Sequence, residues 1–220
     1  MEKIAKNIFE IKKILRKFGK IRLICVTKNR STDEIKSAIA VGISEIGENK
    51  IQEFLAKKKF LENEKIKTHF IGHLQKNKVR AAVENFDTIQ SVDSAELAEK
   101  INFCAAKIGK KMEVFFQINI SRDEKKFGFS PENFWKNCEN LAQLKNLKIS
   151  GLMTILKLEK NPENSRQFFL EFKNFFEKIR ARKIFLSENF CEISMGMSGD
   201  FSLAAECGAT IVRIGRKIFS

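Results

Sequence analysis

Eight short runs rich in β-branched residues, separated by longer stretches with helical spacing, restrict this chain to folds built from repeated strand–helix units. The predicted strands are 21–27, 45–47, 68–72, 88–92, 113–120, 149–155, 192–195 and 210–214. Helix-start signals lie between them. Ser31-Thr32-Asp33-Glu34, Ser94-Ala95-Glu96, Ser130-Pro131-Glu132 and Asn161-Pro162-Glu163 each combine a capping side chain with an acid in the first turn or a proline at the first helical position. Residues 1–20 alternate apolar residues and lysines at helical spacing and lack a continuous apolar run, so they predict a helix and not a secretion signal. Between 162 and 182, Phe168, Phe169, Phe172, Phe175, Phe176 and Ile179 share one helical face, as expected for packing against a sheet. Eight units without a compositional break predict one α/β domain over 1–220, a single-domain (β/α)8 TIM-type barrel with an extra N-terminal helix. A doubly wound open sheet is the alternative. The first strand–helix turn, Thr27-Lys28-Asn29-Arg30-Ser31, has neither GxGxxG nor GxxxxGK[ST], which removes the main support for dinucleotide and P-loop readings.

With 220 residues, 43% hydrophobic and 31% charged, the chain has the balance of a folded protein that can bury its own core. Its net charge of +14 raises the question of nucleic acid. The lysines recur through the predicted helices instead of clustering, and no helix-turn-helix, RRM, KH or zinc-finger pattern occurs, so specific nucleic-acid binding is not expected. A positive field would still concentrate a phosphorylated small ligand. The five cysteines are odd in number and form no CxxC pair, which predicts small core residues in a reducing, cytoplasmic setting. No apolar run approaches the ~20 residues of a membrane span, so no membrane association is expected.

In a barrel of this kind, functional groups gather at the C-terminal ends of the strands. Lys28 ends the first. A lysine that attacks an aldehyde needs its amine deprotonated, which desolvation or a nearby cation promotes, and Arg213 on the last strand is the candidate cation. Facing a ring nitrogen, an arginine donates a hydrogen bond and leaves that nitrogen unprotonated, which makes the ring a poor electron sink. The run Ser194-Met195-Gly196-Met197-Ser198-Gly199-Asp200 reads as a phosphate-binding turn, in which small residues admit an anion to backbone N–H groups and Ser194 and Ser198 add hydroxyls. Met195 falls inside it. Gly215-Arg216 after the last strand supplies a second set of donors, and Asn49 offers an amide at the end of the second strand. His69 and His73 straddle a strand end with no carboxylate or cysteine to complete a ligand set, so no metal site is expected, and His69 is taken instead as a candidate cofactor contact.

Together these segments resemble the pyridoxal phosphate homeostasis proteins, single-domain relatives of the N-terminal barrel of alanine racemases. The likeness runs from Val26-Thr27-Lys28 through Gly47-Glu48-Asn49, His69-Phe70-Ile71-Gly72-His73-Leu74-Gln75-Lys76-Asn77-Lys78, Ser91-Val92-Asp93, Gln117-Ile118-Asn119, Lys126-Phe127-Gly128 and Gly151-Leu152-Met153-Thr154 to Ser194-Met195-Gly196-Met197-Ser198 and Val212-Arg213-Ile214-Gly215. The resemblance implies a Schiff base between Lys28 and pyridoxal 5′-phosphate, Arg213 facing the pyridine nitrogen, and Ser194, Ser198 and Gly215 holding the phosphate. It further implies a monomer in vitamin B6 homeostasis, with enzymes that use the cofactor as candidate recipients. Arg216 stands where the family commonly has Thr or Ser, exchanging a hydroxyl donor for a charge. Alanine racemases pair their lysine with a tyrosine from a second domain, and this chain contains no tyrosine. His69, Cys25 and Cys191 are the other candidates for a second base. The expectation is therefore a carrier or buffer with no catalytic residue, ahead of a weak racemase or lyase.

Overall fold

The computed structural model describes residues 2–157, 161–185 and 188–220. Its strands are β1 (Arg22–Val26), β2 (Glu45–Glu48), β3 (Lys67–Phe70), β4 (Thr88–Val92), β5 (Met112–Gln117), β6 (Leu147–Met153), β7 (Glu192–Ser194) and β8 (Ile211–Ile214). All pairings are parallel and follow sequence order, and β8 returns to β1 with Leu23 opposite Val212 and Cys25 opposite Ile214. The sheet is a closed barrel, which excludes the open-sheet alternative.

The helices are α1 (Glu2–Leu15), α2 (Thr32–Ala40), α3 (Ile51–Lys58), α4 (Val79–Asn85), α5 (Ala95–Lys107), α6 (Pro131–Ala142), α7 (Arg166–Ala181), α8 (Phe201–Glu206) and α9 (Arg216–Phe219). Ser31 caps α2 in a reciprocal box: its hydroxyl accepts from Glu34 N, and the Glu34 carboxylate accepts from Ser31 N. Ser94 and Ser130 cap α5 and α6 the same way, without the return bond from a glutamate. Asn161 instead caps a 3-10 turn, Pro162–Ser165, so the predicted helix at 162–182 begins its α segment only at Arg166. Phe169, Phe172, Phe176 and Ile179 are buried on its inner face, each worth roughly 1.5–3 kcal/mol of transfer free energy, while Phe168 and Phe175 are only partly covered.

The extra helix has a packing reason. At four residues, α9 is too short to cover the closure between β8 and β1, and α1 packs against α2, α8 and α9 to cover it. Asn7 Nδ2 donates to the carbonyl oxygens of Ile218 and Ser220, both at 3.0 Å.

Most strands end earlier than the sequence predicts at their C-terminal side. Beyond Gln117, for example, Ile118 makes a single bridge to Phe129 before the chain turns. Outside the barrel, the helices and sheet share one large apolar core; inside, Ile24, Phe115, Met153 and Ile211 form a smaller one. Below that inner core, charged residues from six strands fill the N-terminal mouth. Arg22 reaches both Glu45 and Glu192, and Lys67 pairs with Glu113, which Lys148 also approaches. Arg22 with Glu192 and Lys67 with Glu113 each skip a strand, which requires contact through the interior. Cys25, Cys138 and Cys207 are buried and Cys104 is half-buried, but Cys191, just before β7, is exposed, so the core expectation fails for it. Among the described residues, no helix is long and apolar enough to cross a membrane.

Candidate functional site at the C-terminal mouth

Lys28 lies two residues past β1, exposed, on a turn held from both sides. Before it, Thr27 N donates to Gly47 O at 3.0 Å, and Thr27 Oγ1 donates to Glu48 Oε1 at 2.7 Å. After it, Asn29 adopts φ +56°, and its N–H donates to Glu53 Oε1 at 2.5 Å. Lys57 joins the two sides: its buried Nζ donates to Thr27 O (2.9 Å), Glu48 Oε1 (2.9 Å) and Glu53 Oε1 (2.7 Å). Burial raises the Glu48 carboxyl above its ordinary range against the bonds from Thr27 and Lys57. Glu48 is the floor of the Lys28 turn.

Arg213 occupies β8, opposite Ile24 in register, so it and Lys28 belong to adjacent strands at one end of the barrel. It is 3% exposed. Nη1 donates to Ser194 Oγ at 2.6 Å and Nη2 to Thr154 O at 2.8 Å. Burial pulls its pKa down to about 10, opposed by the charge of Asp200, so it remains a cation at neutral pH with N–H groups to spare. Asp200 is itself buried, and its Oδ1 accepts from Met197 N at 2.6 Å.

The two glycine-containing turns come together at this mouth. Ser198 Oγ accepts from Lys217 N at 3.3 Å, tying the turn after β7 to the one after β8. Gly196 has φ +91°, and a Cβ there would lie 2.5 Å from that of Ala204, so both backbone and space demand glycine. A Cβ on Gly215 would sit 3.0 Å from Val26 O, which places this turn against the end of β1. Arg216 is exposed at the start of α9. Asn49 follows β2, and its Oδ1 is buried without a hydrogen-bond partner, an acceptor suited to a ligand that carries a donor.

Three of the sequence-selected residues do not face this mouth as ligands would require. His69 is fully buried, with Nε2 2.9 Å from Glu45 Oε2 and Nδ1 3.1 Å from Gln90 Nε2, so neither ring nitrogen is left for a cofactor. The Ser194 hydroxyl is spent between Gln90 Oε1 (2.8 Å) and Arg213. Met195 places its side chain in the outer core. The reason is shared: inward and outward positions alternate along a strand, and these positions point into the barrel or out to the helices, not along its axis. His73 is different again, exposed at the rim with Nδ1 3.1 Å from Asp93 Oδ2 and its ring stacked on Phe127 at 3.6 Å.

Sequence reasoning missed Gln90, Thr154, Lys57 and Glu53. A signal existed for Gln90, a polar residue inside the otherwise strand-like Thr88-Ile89-Gln90-Ser91-Val92. Lys57 had none, since it reads as an ordinary helix-surface lysine.

The alanine racemase N-terminal domain model matches residues 1–220. A pyridoxal phosphate homeostasis protein of Synechocystis sp. is 41% identical over 200 residues, 90% of each chain. The structure is similar to that of PipY from Synechococcus elongatus, solved without PLP (TM-score 0.92, 33% identity) and with PLP bound (TM-score 0.90, 32% identity), covering 99% of this chain and all of that one. Alanine racemase of Clostridium difficile shares the fold at TM-score 0.80 and 17% identity, with 56% of that longer chain covered. The chain belongs to the pyridoxal phosphate homeostasis protein family, built on the alanine racemase N-terminal barrel.

Proposed function

We propose that this chain binds pyridoxal 5′-phosphate at the C-terminal mouth and serves intracellular vitamin B6 homeostasis as a carrier or buffer without turnover of its own. The observation that carries the reading is the pairing of Lys28, on a clamped turn, with Arg213, buried on the adjacent strand. When bound, the cofactor supplies an aldehyde that condenses with an amine and a pyridine ring that withdraws electrons. Lys28 is the amine presented to it. Arg213 donates to the ring nitrogen, and a ring held unprotonated withdraws electrons weakly. The turns at Ser198 and Gly215 take the phosphate, with Arg216 at the rim adding positive charge. Asn49 offers its unpartnered amide oxygen. The +14 charge draws the anionic ligand in.

Among the described residues, none of the second-base candidates named from the sequence is placed for that role, which supports carrying over catalysis. There is no tyrosine in the sequence. His69 has both nitrogens engaged, Cys25 faces the outer core with its thiol pushed up to about 12 by burial, and Cys191 precedes β7 at the opposite end of the barrel. One observation favours the second reading, a weak racemase or lyase: His73 is on the correct rim, with Nδ1 oriented by Asp93 and its other edge exposed.

The test is the visible spectrum of purified protein with pyridoxal phosphate before and after borohydride, followed by peptide mass mapping. A band that bleaches and leaves a reduced adduct on Lys28, with no conversion of any L-amino acid, is the expected result. No band at saturating cofactor would overturn the site; sustained turnover abolished in Lys28→Ala would overturn the carrier role.

A further inference from the structure

A single run of hydrogen bonds crosses the barrel interior from the N-terminal mouth to Arg213. Arg22 donates through Nη2 and Nε to Glu45 at 2.6 and 2.9 Å. Glu45 Oε2 meets His69 Nε2 at 2.9 Å, and His69 Nδ1 meets Gln90 Nε2 at 3.1 Å. Gln90 Oε1 accepts from Ser194 Oγ at 2.8 Å, and Ser194 Oγ accepts from Arg213 Nη1 at 2.6 Å. Six strands contribute one residue each, and His69, Gln90 and Ser194 are 0% exposed.

The protons on this run follow from chemistry. A guanidinium only donates, so Ser194 accepts from it and its own proton goes to Gln90 Oε1. That orients the amide with Nε2–H toward His69, whose Nδ1 is then the bare nitrogen. The proton on Nε2 donates to Glu45, a carboxylate held ionised by Arg22. The other neutral tautomer would set a lone pair against that carboxylate. Every bond therefore points from Arg213 toward Glu45. Burial also disfavours the imidazolium against the pull of Glu45, and the other charges facing the ring, Lys67 and Arg22, disfavour it further.

We propose that His69 and Gln90 are positioning residues: acting through Ser194, they lock one edge of Arg213 so that its remaining N–H groups face a heteroaromatic ring nitrogen that must be an acceptor. This rests on the reading of Arg213 as the ring-nitrogen partner. It also removes Ser194 from the phosphate set, because its only proton is committed inside the barrel.

Two measurements on the full-length chain test it. The first is 15N NMR of the two histidines without cofactor, assigned with His73→Ala. Expected is a neutral His69 with a bare Nδ1 and a protonated Nε2 at pH 7; an Nδ1–H tautomer or an imidazolium overturns the proton assignment. The second compares pyridoxal phosphate titrations of Gln90→Met and Thr88→Val, the latter removing a buried hydroxyl on the same strand that bonds Glu113 instead. Gln90→Met is expected to weaken binding about tenfold, roughly the effect of one lost buried hydrogen bond, and to shift the bound cofactor's visible band. Thr88→Val should leave both unchanged even if it lowers stability. Equal effects of the two, or none in Gln90→Met, overturn the positioning role. Should Gln90→Met fail to fold, Ser194→Ala breaks the same run with the smallest change in volume, and unchanged binding there overturns it equally. The parent chain separates the two failures: without a Lys28 adduct in the parent, the cofactor site itself is wrong and this role falls with it, whereas an intact parent adduct with an unaffected Gln90→Met rejects only the positioning.

Discussion

The Lys57 ammonium, at the C-terminal end of α3, donates to the main-chain oxygen of Thr27 at 2.9 Å, so the residue before Lys28 is held by a buried charge from another element. The same Nζ bonds Glu48 and Glu53, and Glu53 accepts from Asn29 on the other side of Lys28. Lys57→Met removes the shared cation and leaves Glu48 buried without its charge partner. Loss of one partner of a buried pair costs on the order of 3–5 kcal/mol, so the urea midpoint should fall sharply. Adding Glu48→Gln should recover part of that loss. A midpoint unchanged in Lys57→Met would show that the clamp contributes nothing.

Lys28 itself is exposed. Lys28→Ala is expected to change stability by no more than about 0.5 kcal/mol while abolishing the borohydride-stable adduct, as read by denaturation and mass spectrometry. An adduct that moves to another lysine at equal yield would reassign the site.

Acid should weaken the interior run through Glu45. Burial opposes its ionisation, but hydrogen bonds from His69 and Arg22 prevail and bring its pKa from 4.5 to about 2. A carboxyl with a depressed folded pKa contributes stability that is present above the unfolded value and disappears as pH falls through the folded one. Glu45→Gln should therefore be less stable than the parent at pH 7, and the gap should narrow between pH 4.5 and 2. A gap independent of pH would place the loss in packing instead.

Gly196→Ala meets two obstacles, a backbone at φ +91° and a Cβ 2.5 Å from Ala204. A destabilisation of about 2 kcal/mol or more is expected, measured by thermal unfolding, with weaker cofactor binding because the turn after β7 must shift.

If the rim pair His73 and Asp93 performs acid–base work, then His73→Ala should remove any residual amino-acid conversion and spare the Lys28 adduct. Our expectation is that the parent shows no conversion to remove, as measured by chiral chromatography after long incubation.

The strand–helix alternation, the caps at Ser31, Ser94 and Ser130, and the placement of Lys28 and Arg213 at the ends of strands were legible because each depends on residues within a few positions of one another. Helical and strand periods are local, and in a parallel barrel the strand end is where the site lies. Closure of the sheet, by contrast, depends on β1 meeting β8, and nothing in either run specifies the partner. The interior was hidden for the same reason. Gln90 and Ser194 are 104 residues apart, Arg22 and Glu192 are 170 apart, and both pairs are hydrogen-bonded. Gln90 engages His69 Nδ1 and takes the Ser194 proton, so neither group is left for a ligand. Sequence pattern determined which residues sit at strand ends; only the closed barrel decided which of their polar atoms were already taken, because a buried donor or acceptor is satisfied by whatever the fold brings next to it.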